Sequence, residues 1–171
     1  CFRCQAAFRE RAKLDKNTSL TPRIIEDQYL AQWQDFMAYR AAEILLKMKG
    51  TVHETLPGVP FSVYSLFQSP LTLATYGIDW RYIGQLKSVD VAEAGLGRPL
   101  DDIRATYEAL DGIPLMMGVW MTPYSSDDLS PARATTKAEL LRRTLDSTGG
   151  MLIYDRNPID GRSWTAIAET T

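Results

Sequence analysis

Residues 61–67, "FSVYSLF", lie just after Pro60 and decide how the rest of the chain is read. The run is short, β-branched and aromatic, with a turn signal on each side, so it predicts a strand. Upstream the pattern is different. Apolar residues recur at steps of three and four through Ile25, Tyr29, Trp33, Met37, Ala41, Ile44, Met48 and Val52, with Phe36 widening the middle. That period predicts one long amphipathic helix over 24–56. Thr21-Pro22 supplies its start, Glu26 and Asp27 suit the positive end of the helix dipole, and Pro57-Gly58 supplies its stop. Gly50 lies inside the stripe and marks an alternative, earlier end.

Downstream, strand-like and helix-like runs alternate. A turn of helix is expected over 80–86, and residues 88–95, "SVDVAEAG", predict a second strand. Residues 99–112 are helical, with Ile103, Tyr107 and Leu110 on one face and Gly112 as the cap. Residues 113–120, "IPLMMGVW", are a nearly unbroken apolar strand, and 135–150 a capped helix. Residues 151–155, "MLIYD", give a fourth strand before a closing helix over 163–171. Strands this apolar suit a parallel sheet covered by helices. Their spacing is comparable to the ~31 residues per unit of a ~250-residue eightfold barrel. The expected fold is therefore α/β: parallel βα repeats of the (β/α)8 TIM-barrel type, four units making the second half of a barrel. The chain reads as one domain or part-domain, with a cysteine-containing lead-in over 1–23, the long helix over 24–56, and βα units over 60–171.

Composition narrows the function classes. A chain of 171 residues, 45% hydrophobic and 23% charged, has the make-up of a soluble globular protein. Its net charge of −2, without any basic tract, argues against nucleic acid as a partner. The longest apolar runs fall far short of the ~20 residues a membrane helix needs. No charged-then-apolar leader precedes Cys1, which reads as an interior cut of a longer polypeptide, so location stays open. Dinucleotide, Walker-loop, nucleophile-elbow and EF-hand motifs are all missing.

The two cysteines, Cys1 and Cys4 in "CFRCQAAFRE", leave three readings open. They are half of a tetrahedral zinc site, which commonly needs a second such pair, or they are inert thiols, or a redox couple. His53, the one histidine, falls far along the long helix and reads as a solvated helix-end residue.

The opening motif, taken with "QWQDFMAYRAAEILLKMKG" at 32–50, resembles clan A glycoside hydrolases, most of all family 42 β-galactosidases and their relatives. Cys1, Cys4, Phe8, Arg9, Trp33 and Phe36 match the order of a cysteine-rich loop followed by a Phe-Arg pair and a Trp-x-x-Phe helix start. "PGVPFSVYS", "YGIDW" and "GGMLIYD" are similar to later strands of those barrels. The resemblance implies an upstream half with a catalytic glutamate, and a structural zinc that Cys1 and Cys4 share with residues absent from this chain. It implies no cofactor for catalysis.

Barrel sites are built at the carboxyl ends of strands. Those ends offer Tyr64, Ser65 and Gln68, then Asp90 and Glu93, then Trp120 and Tyr124, then Tyr154, Asp155, Arg156 and Asn157. Aromatic faces for pyranose stacking, beside amide, carboxylate and guanidinium groups for hydroxyls, suit a carbohydrate. The expected binding residues are Tyr64, Gln68, Asp90, Trp120, Tyr124 and Arg156. The family's nucleophile is a glutamate ending strand seven, but residues 113–121 end without a carboxylate. Either the strand count is off, or acid–base chemistry moves to Glu93 or Asp155, or the chain is not a classical retaining enzyme. Exposed sheet edges in a half-barrel call for a second copy or a complementary half as partner. The rival readings are a non-catalytic α/β module binding carbohydrate or another small molecule, and a purely structural assembly piece.

Overall fold

A computed structural model describes residues 1–95, 100–120, 142, 150–154, 165 and 168. The chain begins with helix α1 (Phe2–Arg11), followed by α2 (Pro22–Gln28) and α3 (Leu30–Thr55). Strand β1 (Ser62–Leu66) leads through α4 (Pro70–Tyr76) and α5 (Trp80–Leu86) to β2 (Val91–Gly95). Helix α6 (Leu100–Ala109) leads to β3 (Leu115–Trp120), and β4 (Met151–Tyr154) completes the sheet. The strands lie side by side in the order β1-β2-β3-β4, and every pair is parallel.

This arrangement corrects the expected half-barrel of four βα units. Among the described residues only two strand–helix–strand crossovers are complete, β1 to β2 through α4 and α5, and β2 to β3 through α6. The helices expected over 135–150 and 163–171 lie outside the described residues, apart from isolated positions. What stands is an open four-stranded parallel sheet, joined to a three-helix segment that precedes it. Alternating strand-like and helix-like runs report elements and are silent on how many crossovers a sheet completes; here one face of the sheet packs on the described helices, as the alternating burial of β1 and β2 records. Ala92, Ala94, Leu115 and Met117 join Trp80, Ile83, Val89, Ile103, Leu110 and Ala42 in one core.

The long helix differs from its expected form in two ways. It is divided at Tyr29, whose φ of −132° and ψ of 15° leave the helical region. Hydrogen bonds still run through the junction, from Tyr29 N to Ile25 O and from Trp33 N to Tyr29 O, so the chain bends without losing its ladder. Thr21 caps α2 by accepting from Ile24 N at 3.2 Å, with Pro22 in the first turn, as its sequence chemistry dictates. The second difference is rotational. Phe36, Ala38 and Ala42 are the buried residues of α3, whereas Met37, Ile44 and Met48 of the apolar stripe face outward. The short alanine side chains let α3 come close to α5, and that close approach wins over the larger apolar surface of the stripe. Gly50 does not end the helix.

A second, smaller core ties α1 to α2 and α3. Phe8 is fully buried, with ring centroids of Trp33, Phe36 and Tyr29 at 5.0, 5.5 and 6.3 Å in edge-on geometry. Arg9 donates to Thr18 O at 3.0 Å and Gln5 to Leu20 O at 2.8 Å, which pins the turn after α1. Phe8, Trp33 and Phe36 of the opening motifs thus form part of a packed aromatic cluster. Among the described residues, no helix is long and apolar enough to cross a membrane.

Candidate functional site

The face of the sheet turned away from the helices holds the candidate site. Parallel register places Tyr64 beside Glu93 and Glu93 beside Met116, one rung across three strands. Two residues on, the same face carries Leu66, Gly95 and Gly118 in the next such rung. The bare glycines leave room that Tyr64 fills. A Cβ on Gly95 would stand 1.8 Å from the Tyr64 hydroxyl, and one on Gly118 would stand 3.7 Å from the Tyr64 ring edge. The phenol therefore leans across β2 toward the carboxyl end of the sheet, and Tyr64 remains 52% exposed. Glu93 is half-buried behind it. An aromatic surface over a floor without side chains, with a carboxylate one rung back, can take an apolar ring face while accepting hydrogen bonds from its substituents. Gly95 and Gly118 were not among the expected site residues. Their signal was available, because glycine inside a strand pattern marks a place where something approaches the backbone closely.

Gln68, expected as a ligand group, is occupied by the fold. Its amide nitrogen donates to Asp79 Oδ1 at 3.1 Å, and its amide oxygen accepts from Trp80 N at 2.9 Å. Its backbone N–H donates to Thr106 Oγ1 at 2.8 Å. Asp79 is buried and caps α5 by accepting from Arg81 N at 2.9 Å. Burial pushes the Asp79 carboxyl up, but the Arg81 side chain and N–H together with Gln68 outweigh it and hold the carboxyl below its ordinary value. The stretch "YGIDW" therefore builds the connection after β1, with Trp80 Nε1 donating to Leu66 O at 2.7 Å.

Asp90 lies at the opposite end of the sheet from where a carboxyl-edge site needs it. It immediately precedes β2 and clips the last turn of α3 to the strands. Its carboxylate accepts from Lys49 Nζ at 2.8 Å, His53 Nε2 at 2.7 Å and Phe61 N at 2.8 Å. Lys49 also donates to Lys87 O and Val89 O. His53 is thus a partner of the carboxylate rather than a solvated helix end. The hydrogen bond from Lys49, then that from the Phe61 N–H, lead in holding the Asp90 carboxyl down at about 2.

The sign of the pH effect follows. A carboxyl depressed in the folded state stabilises fully above its unfolded value near 3.8 and loses that contribution as pH falls toward about 2. Asp90→Asn is expected to cost about 1 kcal/mol near pH 6, a figure reduced for solvent screening, and progressively less below pH ~4. Urea unfolding of both proteins between pH 6 and pH 2 checks this. A gap that stays constant over the range removes Asp90 from the acid response.

Of the remaining expected residues, Trp120 closes β3 in register with Tyr154. Tyr124, Asp155, Arg156 and Asn157 lie outside the described residues. Cys1 is the N-cap of α1 and Cys4 sits in its first turn, with the two sulfurs 3.4 Å apart. Among the described residues no group of three or more His, Cys, Asp or Glu side chains could hold a metal ion. The donor set for a tetrahedral zinc is therefore two ligands short there. No family model matches the chain, and no curated protein matches it.

Proposed function

We propose that the chain binds carbohydrate, a β-galactoside in the first instance, on the face of its sheet turned away from the described helices. The single observation behind this reading is the half-exposed Tyr64 phenol lying over Gly95, with Glu93 in register beside it. A pyranoside stacks its C–H face on the ring while Glu93 accepts from its hydroxyls, a charge-assisted bond worth more than a neutral one. The similarity of the opening and strand motifs to glycoside hydrolases supports the choice of sugar.

Hydrolysis is the stronger form of the same reading. It asks for a second carboxyl group about 5–10 Å from Glu93, the range spanned by retaining and inverting enzymes. Asp155, the second carboxylate the sequence offers, lies outside the described residues.

Titration of the protein with lactose, followed by intrinsic tyrosine and tryptophan fluorescence, tests the binding. Tyr64→Ala is expected to weaken affinity by about tenfold, or ~1.4 kcal/mol, with the fold retained because the ring is half exposed. Glu93→Gln separates the two forms: lost cleavage of a chromogenic galactoside with retained lactose affinity supports hydrolysis. An unchanged Glu93→Gln protein takes the carboxylate out of the site. Absence of saturable binding by the unaltered protein across β-linked disaccharides overturns the reading altogether.

A further inference from the structure

Outside the sheet face, the chemistry-bearing group that the fold leaves unused is the pair Cys1 and Cys4. Both are free thiols, Cys1 exposed and Cys4 half-buried, and Cys1 Sγ donates to Cys4 Sγ across 3.4 Å. We propose that they are a dithiol site that exchanges with small disulfides and closes to a reversible Cys1–Cys4 disulfide.

Two features of the structure support it. First, the sulfurs are already in contact, so closure needs an approach from 3.4 Å to a bond of about 2.0 Å. Cys1 is the N-cap and its side chain makes no capping hydrogen bond, so rotation about its Cα–Cβ bond can make that approach. Second, α1 is held firmly beyond the pair. Phe8 is fully buried and Gln5 and Arg9 are tied to the following turn, so Cys4 is presented from a helix held in place.

The difference in exposure sets the order of steps. The exposed Cys1 sulfur, as thiolate, attacks one sulfur of a low-molecular-weight disulfide and expels the other half as thiolate. The Cys4 sulfur then attacks Cys1 Sγ, breaking the mixed disulfide and expelling the second half. The balance is one protein dithiol and one small disulfide going to one protein disulfide and two small thiols. The small disulfide is the oxidant, and the two cysteines supply the electron pair.

Equilibration of the full chain with mixtures of reduced and oxidised glutathione, acid quenching, alkylation and intact mass analysis tests this. The expected products are only the doubly alkylated and the internally bridged species. Half-closure is expected at a ratio of oxidised to reduced glutathione about tenfold or more below that which half-modifies either single-cysteine variant, since ring closure has a high effective concentration. Cys4→Ser should accumulate the mixed disulfide on Cys1, and Cys1→Ser should form it on Cys4 more slowly. Stable double glutathionylation of the unaltered chain, equal rates for the two variants, or a tightly held zinc ion seen by native mass spectrometry would each overturn the proposal.

Discussion

Replacing Trp80 by alanine is expected to destabilise the chain by about 3–5 kcal/mol, the range for deleting a buried aromatic side chain. Trp80 is fully buried, in the core that joins α3, α5, α6, β2 and β3. It opens α5, packs in the core with Ala42 of α3 and Ala92 and Ala94 of β2, and donates its indole N–H to Leu66 O at 2.7 Å. Truncation leaves a cavity and strands the carbonyl at the end of β1 without its donor. A loss of this size is a large part of the 5–15 kcal/mol that a typical domain has in total. Urea unfolding by circular dichroism measures it. Trp80→Phe separates the two contributions, because the ring volume is largely kept while the hydrogen bond is lost, for about 1–3 kcal/mol. A loss under ~1 kcal/mol for the alanine variant would show that this side chain is not sealed in the core.

The strands were legible because each is a short apolar run between turn signals. The stretches read at 61–67, 88–95, 113–120 and 151–155 contain Ser62–Leu66, Val91–Gly95, Leu115–Trp120 and Met151–Tyr154. Caps were legible for the same local reason, as Thr21 and Pro22 show. Tertiary choice was not legible. Period alone made Met37, Ile44 and Met48 look like the packing face of α3, yet the small residues Ala38 and Ala42 are the ones that reach the core. Counting strand–helix alternations led to a half-barrel, because periodicity reports elements and is silent on how many crossovers the sheet completes.

The candidate site shows the same division. Tyr64 and Glu93, expected at strand ends, stand mid-strand in β1 and β2, where the sheet sets them side by side. Asp90 was read from the same strand, but a carboxylate one residue before β2 belongs to the amino edge, where Lys49 and His53 reach it from a helix 37 or more positions earlier. Gln68 was chosen for its amide, and that amide is consumed by Asp79 and Trp80. Polar residues near strand ends are chosen by chemistry in a sequence and by unpaired hydrogen-bonding capacity in a fold. For Gln68 and Asp90 the fold's own hydrogen bonds mark a structural role.

Gly84→Ala carries the same logic to its sharpest test, because local propensity and packing predict opposite signs. Alanine in a helix interior ordinarily stabilises by about 1 kcal/mol relative to glycine. At Gly84, a buried position in α5, the added Cβ would stand 2.3 Å from Ala109 O, 2.8 Å from Leu110 C and 2.9 Å from Leu110 O. All three atoms are backbone at the end of α6, so neither helix can yield by turning a side chain. The helices must separate, which opens the core around Ile83 and Leu110. Overpacking of this kind costs about 1–3 kcal/mol and more where backbone must move, so packing wins. Gly50 provides the internal control. It lies in the interior of α3, is exposed, and has no atom within 4 Å of an added Cβ. Gly50→Ala is therefore expected to stabilise by about 0.5–1 kcal/mol, purely through helix propensity. Urea midpoints of the two variants should move in opposite directions from that of the unaltered chain. If both rise together, α5 and α6 do not meet at Gly84, and the helical layer that covers the sheet is assembled differently.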